Sequence, residues 1–575
     1  MDRAQFLGSA VVGVALVLLA LPASGQSFRV QCPAGTQLHP AIIANDPAVP
    51  PANYAKYSKV TQWGRTDGLL NPTPAMANPH IKCQQLSGGD GYATMADGTQ
   101  MYLFAFGPLS GLADIVKGAP ATETAAVFNQ NNLDGSGAAL DVVQVGAPYP
   151  GYSFNGAIGL VPDVEVNAGS GPAGAPLDGH VDPRLVMDVG VMNGNQPAPL
   201  IVIDEGDELF LTLTNVGMIM RPDLFEQHTV HFHGYPNASA FYDGVPDASV
   251  AINIGGSFTY YYLAPEAGTY MWHCHISPPE HLQMGMVGQL YVRPRQNSVV
   301  GNLHSALAAL QTDPATKCSG TDMLCSTQVP PVDNGVQANG RNYAYDDGDG
   351  STAYDVEYPI QMMGFDPNFH FVGMTFNPES FTDTKDKYFL LNGRSYPDTV
   401  GGHECSGADD PVAACNPVAG ALPAGAVVAG PMSTQASDGT AHFSQPMPTV
   451  VNIPVGGKAL LRFSDLNVTE YHTLASLGIP MHVIGYNARL LRDQDGNNTD
   501  YYTNSISLGG GESVDVILDA SPHDSLGAPL YPVGSKFYLY TPQLDHLSND
   551  AENFGGMMTE VNICNSVDPT TKQCS

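Results

Sequence analysis

Residues 270–286 read YMWHCHISPPEHLQMGM, a stretch in which one cysteine stands between two histidines. In a β-strand, successive side chains point to opposite faces of the sheet. If this stretch is extended, His273 and His275 lie on one face and Cys274 lies on the other. The stretch therefore predicts a thiolate and a pair of imidazoles that are separated by a single strand of backbone.

The residues that flank this strand add donors on the side of the cysteine. The SPPE segment, which we predict to be a turn, brings in His281, and Met286 follows after a further short segment. Upstream, the motif HTVHFHG supplies His228. Two imidazoles, a thiolate and a weak axial thioether form the ligand set of a blue-copper electron-transfer site. Zinc accepts cysteine and histidine ligands too, but the methionine favours copper bound by His228, Cys274, His281 and Met286.

The same upstream motif also contributes to the opposite face of the predicted sheet. His231 and His233 share one face of an extended segment, and the first histidine of the motif lies on the other. These two residues should therefore join His273 and His275 in a face of four imidazoles. The sequence predicts two adjacent metal sites that are connected through Cys274.

The N-terminus and the charge balance indicate the compartment and exclude some partners. Residues 1–25 combine a positive charge, an apolar core and a small-residue end, which is typical of a secretory signal. No later stretch of about twenty apolar residues predicts a membrane span. The formal net charge is −33, which argues against nucleic acid or an anionic membrane as a partner. We expect a soluble protein that is secreted, either periplasmic or extracellular, whose acidic surface gives solubility or attracts cationic substrates.

The cysteines support an oxidising compartment. The chain has nine cysteines, and setting Cys274 aside as a ligand leaves eight. Six of these form locally spaced pairs, which are Cys318 with Cys325, Cys405 with Cys415, and Cys564 with Cys574, while Cys32 and Cys83 remain. Disulfide connectivity cannot be deduced from sequence alone, but four disulfides and one free thiol would suit an exported protein.

Short strands and turns dominate the rest of the chain, as its 62 glycines and 46 prolines indicate. Alternating apolar residues, as in LIVIDEGDELFLTLTNVG from Leu200, predict an all-β protein of Greek-key sandwich or barrel domains. The expected organisation is an irregular N-terminal arm at 26–90, a metal-binding β domain at 91–297 with a long insertion at about 108–198, a linker at 298–351, a second β domain at 352–566 and a tail at 567–575. In the second domain, alignment of His546 with His281 places Tyr538-Leu539-Tyr540 where the histidine–cysteine–histidine motif stands.

With HTVHFHG, an Asp243-Gly244 turn, AGTYMWHCH and HLQMGM in this order, residues 198–297 resemble the multicopper oxidase family. The segments YFLLNGRSY and PMHVIGYNARLLRDQDG resemble that family's copper-free cupredoxin domain. The resemblance implies two cupredoxin-like domains and a copper-dependent oxidoreductase. It also implies a reducing substrate, which would be a metal ion, a phenol or a redox protein, and O₂ as the electron acceptor.

Carried over to the matching positions, the family's motifs imply a role for each donor. The implied type 1 copper ligands are His228, Cys274, His281 and Met286. The implied type 2 and type 3 copper ligands are His231, His233, His273 and His275. In the family, substrate electrons enter at the type 1 copper and pass through the cysteine to its two flanking histidines. The catalytic residues implied here are therefore Cys274, His273 and His275.

Two departures from the family pattern leave more than one function open. Six residues separate Cys274 from His281, which makes a longer ligand loop than that of common laccases. The family's trinuclear cluster also needs twice the four histidines of this domain. As candidates for the missing half, the second domain offers His472, His482 and His546, none of which forms part of a paired motif. A homo-oligomer could complete the cluster, as in a nitrite-reductase-like trimer. A mononuclear electron-transfer protein and a non-enzymatic metal-binding surface protein are also compatible with these motifs.

Overall fold

The structure is a computed structural model that describes most of both expected β domains. The described residues are 32–33, 35–40, 77–97, 99–111, 120–128, 194–218, 220–221, 223–234, 239–264, 266–312, 329–370, 381–400, 402–404, 427–429, 433–435, 441–443, 449–569 and 572–575. The expected signal at 1–25 and most of the expected insertion at 108–198 lie outside them. In the described chain, no helix is both long and apolar enough to cross a membrane.

The first β region is a sandwich of two sheets. Its elements are β1 (Ile81–Thr94), β2 (Gln100–Pro108), β3 (Glu123–Thr124), α1 (Ala125–Phe128), β4 (Ile201–Asp204), β5 (Glu208–Gly217), β6 (His231–Phe232), a 3₁₀ turn (Ala240–Tyr242), β7 (Ser257–Leu263), β8 (Gly268–His273), α2 (Pro278–Gln283) and β9 (Val287–Arg293). One sheet has the order β2-β1-β5-β7, with β3 also paired to β1, and the other has the order β4-β9-β8-β6. Apolar side chains, Trp272 and Tyr260 among them, fill the space between the sheets. Strand β8, which carries the histidine–cysteine–histidine motif at its end, therefore packs on a solid core.

A segment with little regular structure follows the first sandwich. Its elements are a 3₁₀ turn (Arg295–Ser298), β10 (Gly301–Asn302), α3 (Leu303–Thr312), β11 (Gln337–Ala338), β12 (Asn342–Tyr343) and β13 (Ala353–Tyr354). The acidic run at 346–350 forms a turn in which Asp347 Oδ1 accepts hydrogen bonds from the backbone N–H groups of Asp349 and Gly350.

The second β region is also a sandwich. Its elements are β14 (Val356–Phe365), β15 (Tyr388–Leu391), β16 (Gly402–Glu404), β17 (Val427–Ala429), β18 (Ser433–Gln435), β19 (Ala441–Phe443), β20 (Val451–Pro454), β21 (Lys458–Asp465), β22 (His472–Leu477), β23 (Met481–Tyr486), β24 (Arg489–Leu490), β25 (Tyr501–Thr503), β26 (Ser505–Leu508), β27 (Glu512–Asp519), β28 (Lys536–Tyr540), a 3₁₀ turn (Leu544–His546) and β29 (Met558–Cys564). The main sheets run β15-β14-β21-β27-β23-β24, with β25 on β23, and β20-β29-β28-β22-β26; β16 pairs with β17 and β18 with β19.

The two sandwiches share one strand topology. The order β2-β1-β5-β7 of the first matches β15-β14-β21-β27 of the second, and β4-β9-β8-β6 matches β20-β29-β28-β22. Even the strand directions agree, since β1 with β5 and β14 with β21 are parallel pairs, as are β4 with β9 and β20 with β29. The all-β, two-sandwich prediction is therefore confirmed, and each of these eight strands of the first sandwich has an equivalent in the second.

The second sandwich packs against the strand that carries the metal motif. Thr269 of β8 donates its hydroxyl to the buried carboxylate of Asp515 at 2.5 Å, and its carbonyl accepts from the Ser513 hydroxyl at 2.8 Å. Gln289 of β9 donates to the carbonyl of Arg462 at 2.7 Å. These contacts hold β8 and β9 against β21 and β27, so the second sandwich supports the site in the first.

The structure refines the N-terminal boundary and two of the disulfides. Strand β1 begins at Ile81, inside the range expected to be an irregular arm, because it pairs in parallel with β5 over most of its length. Cys32 bonds to Cys83 at the start of β1, and Cys564 bonds to Cys574. The other two expected disulfides lie outside the described residues. The thiol of Cys274 is free and buried.

Candidate metal centre

A buried cluster of nitrogen and sulfur donors lies at the end of β8. One ring nitrogen of His228, one of His281 and the Sγ of Cys274 all lie within 4.8 Å of one another. The Nδ1 of His281 is 3.2 Å from this sulfur, and the backbone N–H of Thr229 donates to it at 3.4 Å. The three side chains are 0% exposed. The structure thus brings together three of the four expected type 1 ligands.

The fourth expected ligand, Met286, is fully buried beside this cluster. Its carbonyl accepts a hydrogen bond from the backbone N–H of Cys274 at 3.1 Å. A Cβ added to Gly88 of β1 would lie 2.7 Å from the Cδ2 of His228 and 3.4 Å from the Cε of Met286. The ring of His228 and the end of the Met286 side chain therefore both contact β1 at Gly88, where a larger residue would collide with them. Sequence reasoning missed Gly88, although a glycine inside a strand often marks such a close approach.

The loop between the cysteine and the next histidine contains a short helix. Strand β8 ends at His273, and Ser277 then adopts a left-handed conformation with φ 38° and ψ 59°. Helix α2 follows with Pro278 in its first turn and His281 on its buried side. The expectation of a simple SPPE turn is wrong, because proline fits the first turn of a helix, where its missing N–H is not needed.

The surroundings of His228 and His281 are mainly apolar, but one partly exposed carboxylate, that of Glu226, lies close to His281. The ring of Phe104 on β2 lies 5.0 Å from the His281 ring and 6.3 Å from the His228 ring. On the far side of His281, its Nε2 is 3.7 Å from a carboxylate oxygen of Glu226, whose side chain is 28% exposed. Glu226 thus connects the buried cluster with solvent.

Electrostatics favour the deprotonated sulfur. Burial alone would raise the pKa of Cys274, but the adjacent His281 and His228 hold it well below its usual range. Burial would lower the pKa of His281, but the Cys274 sulfur and Glu226 raise it to about 9. Burial lowers the pKa of His228. A soft metal ion that takes the thiolate as a ligand would therefore displace a proton from His281.

The four remaining histidines of the two motifs form a second cluster. Ring-nitrogen atoms of His231, His233 and His273 lie within 4.8 Å of one another. The ring of His275 completes the group, 4.9 Å from the ring of His231 and 5.6 Å from that of His273 between centroids. The structure thus brings all four expected imidazoles to one face. The first cluster, which includes the Cys274 sulfur, lies on the other side of this strand.

Hydrogen bonds fix the orientation of these rings. The Nδ1–H of His231 donates to the carbonyl of Asp243 at 2.7 Å, and the Nδ1–H of His273 donates to the carbonyl of Cys274 at 2.7 Å. Both rings therefore keep an Nε2 lone pair for a metal ion. Burial lowers the pKa of His273 to about 3, so this ring is neutral at neutral pH. Its Nε2 faces the Nε2 of His233 at 2.9 Å.

The second sandwich contacts this face through backbone rather than through further histidines. The His233 ring lies against Gly511, where an added Cβ would be 3.4 Å from its Nδ1. His482 pairs with Asp500 at 2.9 Å, and His472 lies beside His546 with 5.7 Å between ring centroids. Within the described chain, none of these three histidines shares a metal-ligand cluster with the four imidazoles.

The register of the second sandwich corrects the alignment made on His546. His231 pairs with His273 in the first sandwich, and Ala475 pairs with Tyr540 at the matching place in the second. The next residue, Thr541, donates its N–H to the Met557 carbonyl at 3.0 Å, as Cys274 does to Met286. Tyr540 and Thr541 therefore occupy the positions of the histidine and the cysteine, two residues later than expected, because the loop before His546 is shorter.

The chemistry of the first cluster fits a copper ion. Both ring nitrogens of His228 are buried without a hydrogen-bond partner, and the Nδ1 of His281 faces the Cys274 sulfur at 3.2 Å. Buried polar atoms are normally paired, so these atoms need a ligand. Two imidazoles, a thiolate with a lowered pKa and a neighbouring thioether are the donor set of a blue-copper site.

Comparisons with known proteins indicate the same metal. Residues 179–297 match the multicopper oxidase family model. A multicopper oxidase of Talaromyces pinophilus is 32% identical over 131 residues, which are 22% of this chain and 20% of that protein. A laccase of Aspergillus fumigatus is 33% identical over 126 residues, which are 22% of this chain and 19% of that protein. The match thus spans about a fifth of the length of these relatives, and the cofactor that it implies is copper.

Among solved structures, a blue copper oxidase from Nitrosomonas europaea is similar over 84% of this chain and 85% of its own. The TM-score is 0.43 and the sequence identity is 16%. A multicopper oxidase structure named mgLAC gives a TM-score of 0.43 at 14% identity, over 86% of this chain and 93% of its own.

Proposed function

We propose that the protein is an exported copper-dependent oxidase, on the premise that residues 179–297 match the multicopper oxidase family model. It takes electrons one at a time from a reducing substrate and delivers them to O₂. Four electrons and four protons convert one O₂ to two water molecules. The secretory signal expected at residues 1–25 supports an extracellular or periplasmic location.

One observation carries this proposal, which is the position of Cys274 between two clusters of metal donors. Its sulfur lies with the nitrogens of His228 and His281. Its two neighbours in the chain, His273 and His275, carry imidazoles of the other cluster. Copper bound by these donors supplies one-electron redox chemistry. Because these residues are consecutive in the chain, a short covalent path runs from the Cys274 sulfur through the backbone to both imidazoles.

The chain's own groups define where the substrate can approach. His281 is fully buried, and Glu226 is the partly exposed group that contacts its outer nitrogen. We place the electron entry beside Glu226. A carboxylate at this position attracts a metal cation or accepts a proton from a phenol, in keeping with the formal net charge of −33.

A second candidate is a mononuclear electron-transfer or nitrite-reductase-like protein. The observation that favours it is the number of imidazoles, since the described residues bring only four to the second face. Four imidazoles suit one or two metal ions, and a larger cluster would need donors from a neighbouring subunit. Measurement of O₂ consumption separates these candidates.

The test is O₂ uptake by the copper-loaded full chain with a phenol or Fe²⁺ as the reductant. We expect four equivalents of reductant to be oxidised per O₂. His231→Gln should abolish uptake and keep the blue absorption, because it removes a donor from the second face only. His482→Gln, at a histidine that pairs with Asp500, is the matched control and should be unaffected. A wild type that consumes no O₂ would refute the oxidase assignment, and unchanged uptake in His231→Gln would refute the role of the four-imidazole face.

Replacement of Met286 by leucine should raise the reduction potential of the blue copper and leave the copper bound. A weak axial thioether tunes the potential, whereas the two imidazoles and the thiolate hold the ion. The matched control is Met284→Leu, since Met284 is equally buried in the core but two residues earlier. The measurement is a redox titration followed at the blue band. Loss of copper from Met286→Leu, or an equal shift in Met284→Leu, would contradict the axial role.

A further inference from the structure

The second sandwich contains its own polar cluster at the position that matches the copper cluster of the first. The segment EQHTVHFHG at 226–234 corresponds to EYHTLASLG at 470–478. By this register His472 occupies the position of His228, and Glu470 that of Glu226. His546 follows as the equivalent of His281: its Nε2 is 3.1 Å from Glu470, as the His281 Nε2 is 3.7 Å from Glu226.

This second cluster cannot be a copy of the blue-copper site. Thr541 stands where Cys274 supplies the thiolate, as the register shows. Met362 stands where Gly88 leaves room for the His228 ring, since Met362 pairs with Asp465 as Gly88 pairs with Asn215. The thiolate and the space that Gly88 leaves are therefore lost on the inner side of the histidine. Any ion must bind on its outer side.

Nitrogen and oxygen donors converge on that outer side. One nitrogen of His472, one oxygen of Glu470 and one oxygen of Asp386 lie within 4.8 Å of one another. His472 is 0% exposed, and its Nδ1 has no hydrogen bond of good geometry. Glu470 and Asp386 are only partly buried, so an ion can reach them from solvent. One imidazole and two carboxylates are a donor set for a divalent metal ion.

Each of the three donors is held in place by a further side chain. The His472 Nδ1 lies 3.3 Å from the carboxylate of the buried Asp465, which is the usual outer partner of a metal-binding histidine and leaves Nε2 for the ion. The opposite nitrogen, Nε2, accepts one long hydrogen bond from the Asn467 amide at 3.4 Å, which a bound ion would replace. Glu470 contacts His546 at 3.1 Å. These contacts orient the ring toward the two carboxylates.

Asp386 is positioned from the first sandwich as well as the second. Its Oδ1 accepts a hydrogen bond from Gln283 at 2.9 Å, and its Oδ2 accepts one from the hydroxyl of Thr469 at 2.5 Å. A Cβ at Gly364 would collide with this carboxylate, so the backbone of β14 lies directly behind it. Gln283 belongs to helix α2, the helix that carries His281. The carboxylate therefore has a fixed place at the junction of both sandwiches.

We propose that His472, Glu470 and Asp386 bind one divalent metal ion through nitrogen and oxygen atoms, independently of the copper in the first sandwich. A hard or borderline ion such as Mn²⁺ or Zn²⁺ fits these donors, and a thiolate-seeking ion does not. Asp465 and His546 act as positioning residues. The site does not depend on the proposed oxidase activity, because it uses no residue of the histidine–cysteine–histidine motif.

The test is Mn²⁺ binding to the copper-loaded full chain, reduced with ascorbate under argon so that the copper gives no EPR signal. The loss of the free Mn²⁺ signal on titration reports bound ion. We expect one Mn²⁺ per chain, with affinity reduced by at least about 10-fold in Glu470→Gln and in Asp386→Asn, since loss of a residue that only supports a ligand already costs about 10- to 100-fold. Both positions are partly exposed, so we expect both variants to fold, and thermal melting checks this. Glu552→Gln, at an exposed carboxylate outside the cluster, is the matched control and should bind Mn²⁺ as the wild type does.

Two results would overturn the proposal. One is an absence of Mn²⁺ binding above that of the scattered surface carboxylates. The other is equal affinity in Glu470→Gln, Asp386→Asn and Glu552→Gln, which would show that the ion binds the acidic surface in general. In either case His472 and its neighbours would be a hydrogen-bonded network without an ion.

Discussion

Replacement of Cys274 by serine is expected to abolish the blue absorption of the copper-loaded protein and to reduce oxidase activity to background. The reason is that Cys274 supplies the only sulfur anion among the clustered donors, at 3.2 Å from the His281 Nδ1. Serine is nearly the same size and the site is 0% exposed, so the surrounding core should hold its shape. The measurement is the visible spectrum together with O₂ uptake, and thermal melting confirms the fold.

The control for this substitution is a change in the equivalent residue of the second sandwich. Thr541→Ser alters the position that matches Cys274 but lies outside the first sandwich. It should leave the blue band and the O₂ uptake unchanged. A blue band of unaltered intensity in Cys274→Ser would refute the assignment of the sulfur as a copper ligand, whatever the activity of the variant.

Replacement of Arg462 by methionine is expected to destabilise the protein by about 3–5 kcal/mol, the usual result of breaking a buried ion pair by removing one partner. Arg462 is 0% exposed. Its Nε is 3.2 Å from Glu357, and its Nη1 is 3.7 Å from Asp515 and 3.2 Å from the hydroxyl of Thr269. The variant leaves these carboxylates without their shared cation, beneath the strand that carries the metal motif.

The matched control is Arg341→Met, which removes an exposed arginine paired with Asp355 at 3.4 Å. Exposed pairs contribute about 0–1 kcal/mol. Urea unfolding followed by circular dichroism compares the two variants, with the first transition analysed separately because the chain has two sandwiches. Equal midpoints for Arg462→Met and Arg341→Met would contradict the structural role of the buried network.

The same network predicts a pH dependence of stability. Burial would raise the pKa of Glu357, but Arg293 and Arg462 outweigh this effect and lower it to about 2. A carboxyl group whose folded pKa lies below its unfolded value stabilises the fold above the unfolded pKa and loses this contribution as the pH falls toward the folded one. We therefore expect stability to decrease between about pH 4.5 and pH 2, and this part of the decrease to be smaller in Arg462→Met.

The sequence predicted the two clusters because strand periodicity is a local property. The alternation of His273 and Cys274 places imidazole and sulfur on opposite sides whatever the rest of the chain does. HTVHFHG follows the same rule, although only His231 and Phe232 form a regular strand. The side of the strand on which each donor lies could therefore be predicted without the tertiary fold.

The supporting residues could not be predicted in the same way, because they come from distant strands. Gly88 and Phe104 reach the cluster only through the pairing of β1 with β2 and β5. Nothing in their local sequence indicates a histidine nearby. Glu226 is different: the repeated E-x-H-T at residues 226–229 and 470–473 is visible in the sequence, and it would have located both clusters.

The alignment of the second sandwich was wrong by two residues for a physical reason. The alignment of His546 with His281 assumes that the loop from Cys274 to His281 has the same length in both sandwiches. The hydrogen-bond register shows instead that Thr541 matches Cys274, so the loop is shorter in the second sandwich. Strand pairing is conserved between the two sandwiches, whereas loops vary in length without altering the sheets. A register therefore has to be read from paired strands rather than from a residue in a loop.

The central claim is that His228, Cys274 and His281 hold one copper ion, which shares Cys274 with a second site on the four-imidazole face. Copper analysis of the reconstituted full chain, with its visible and EPR spectra and its mass in solution, tests this most directly. The account predicts one blue copper per chain and at least one further copper, which His231→Gln removes without loss of the blue band. A colourless protein, or copper that remains bound equally in Cys274→Ser and in the wild type, would contradict it.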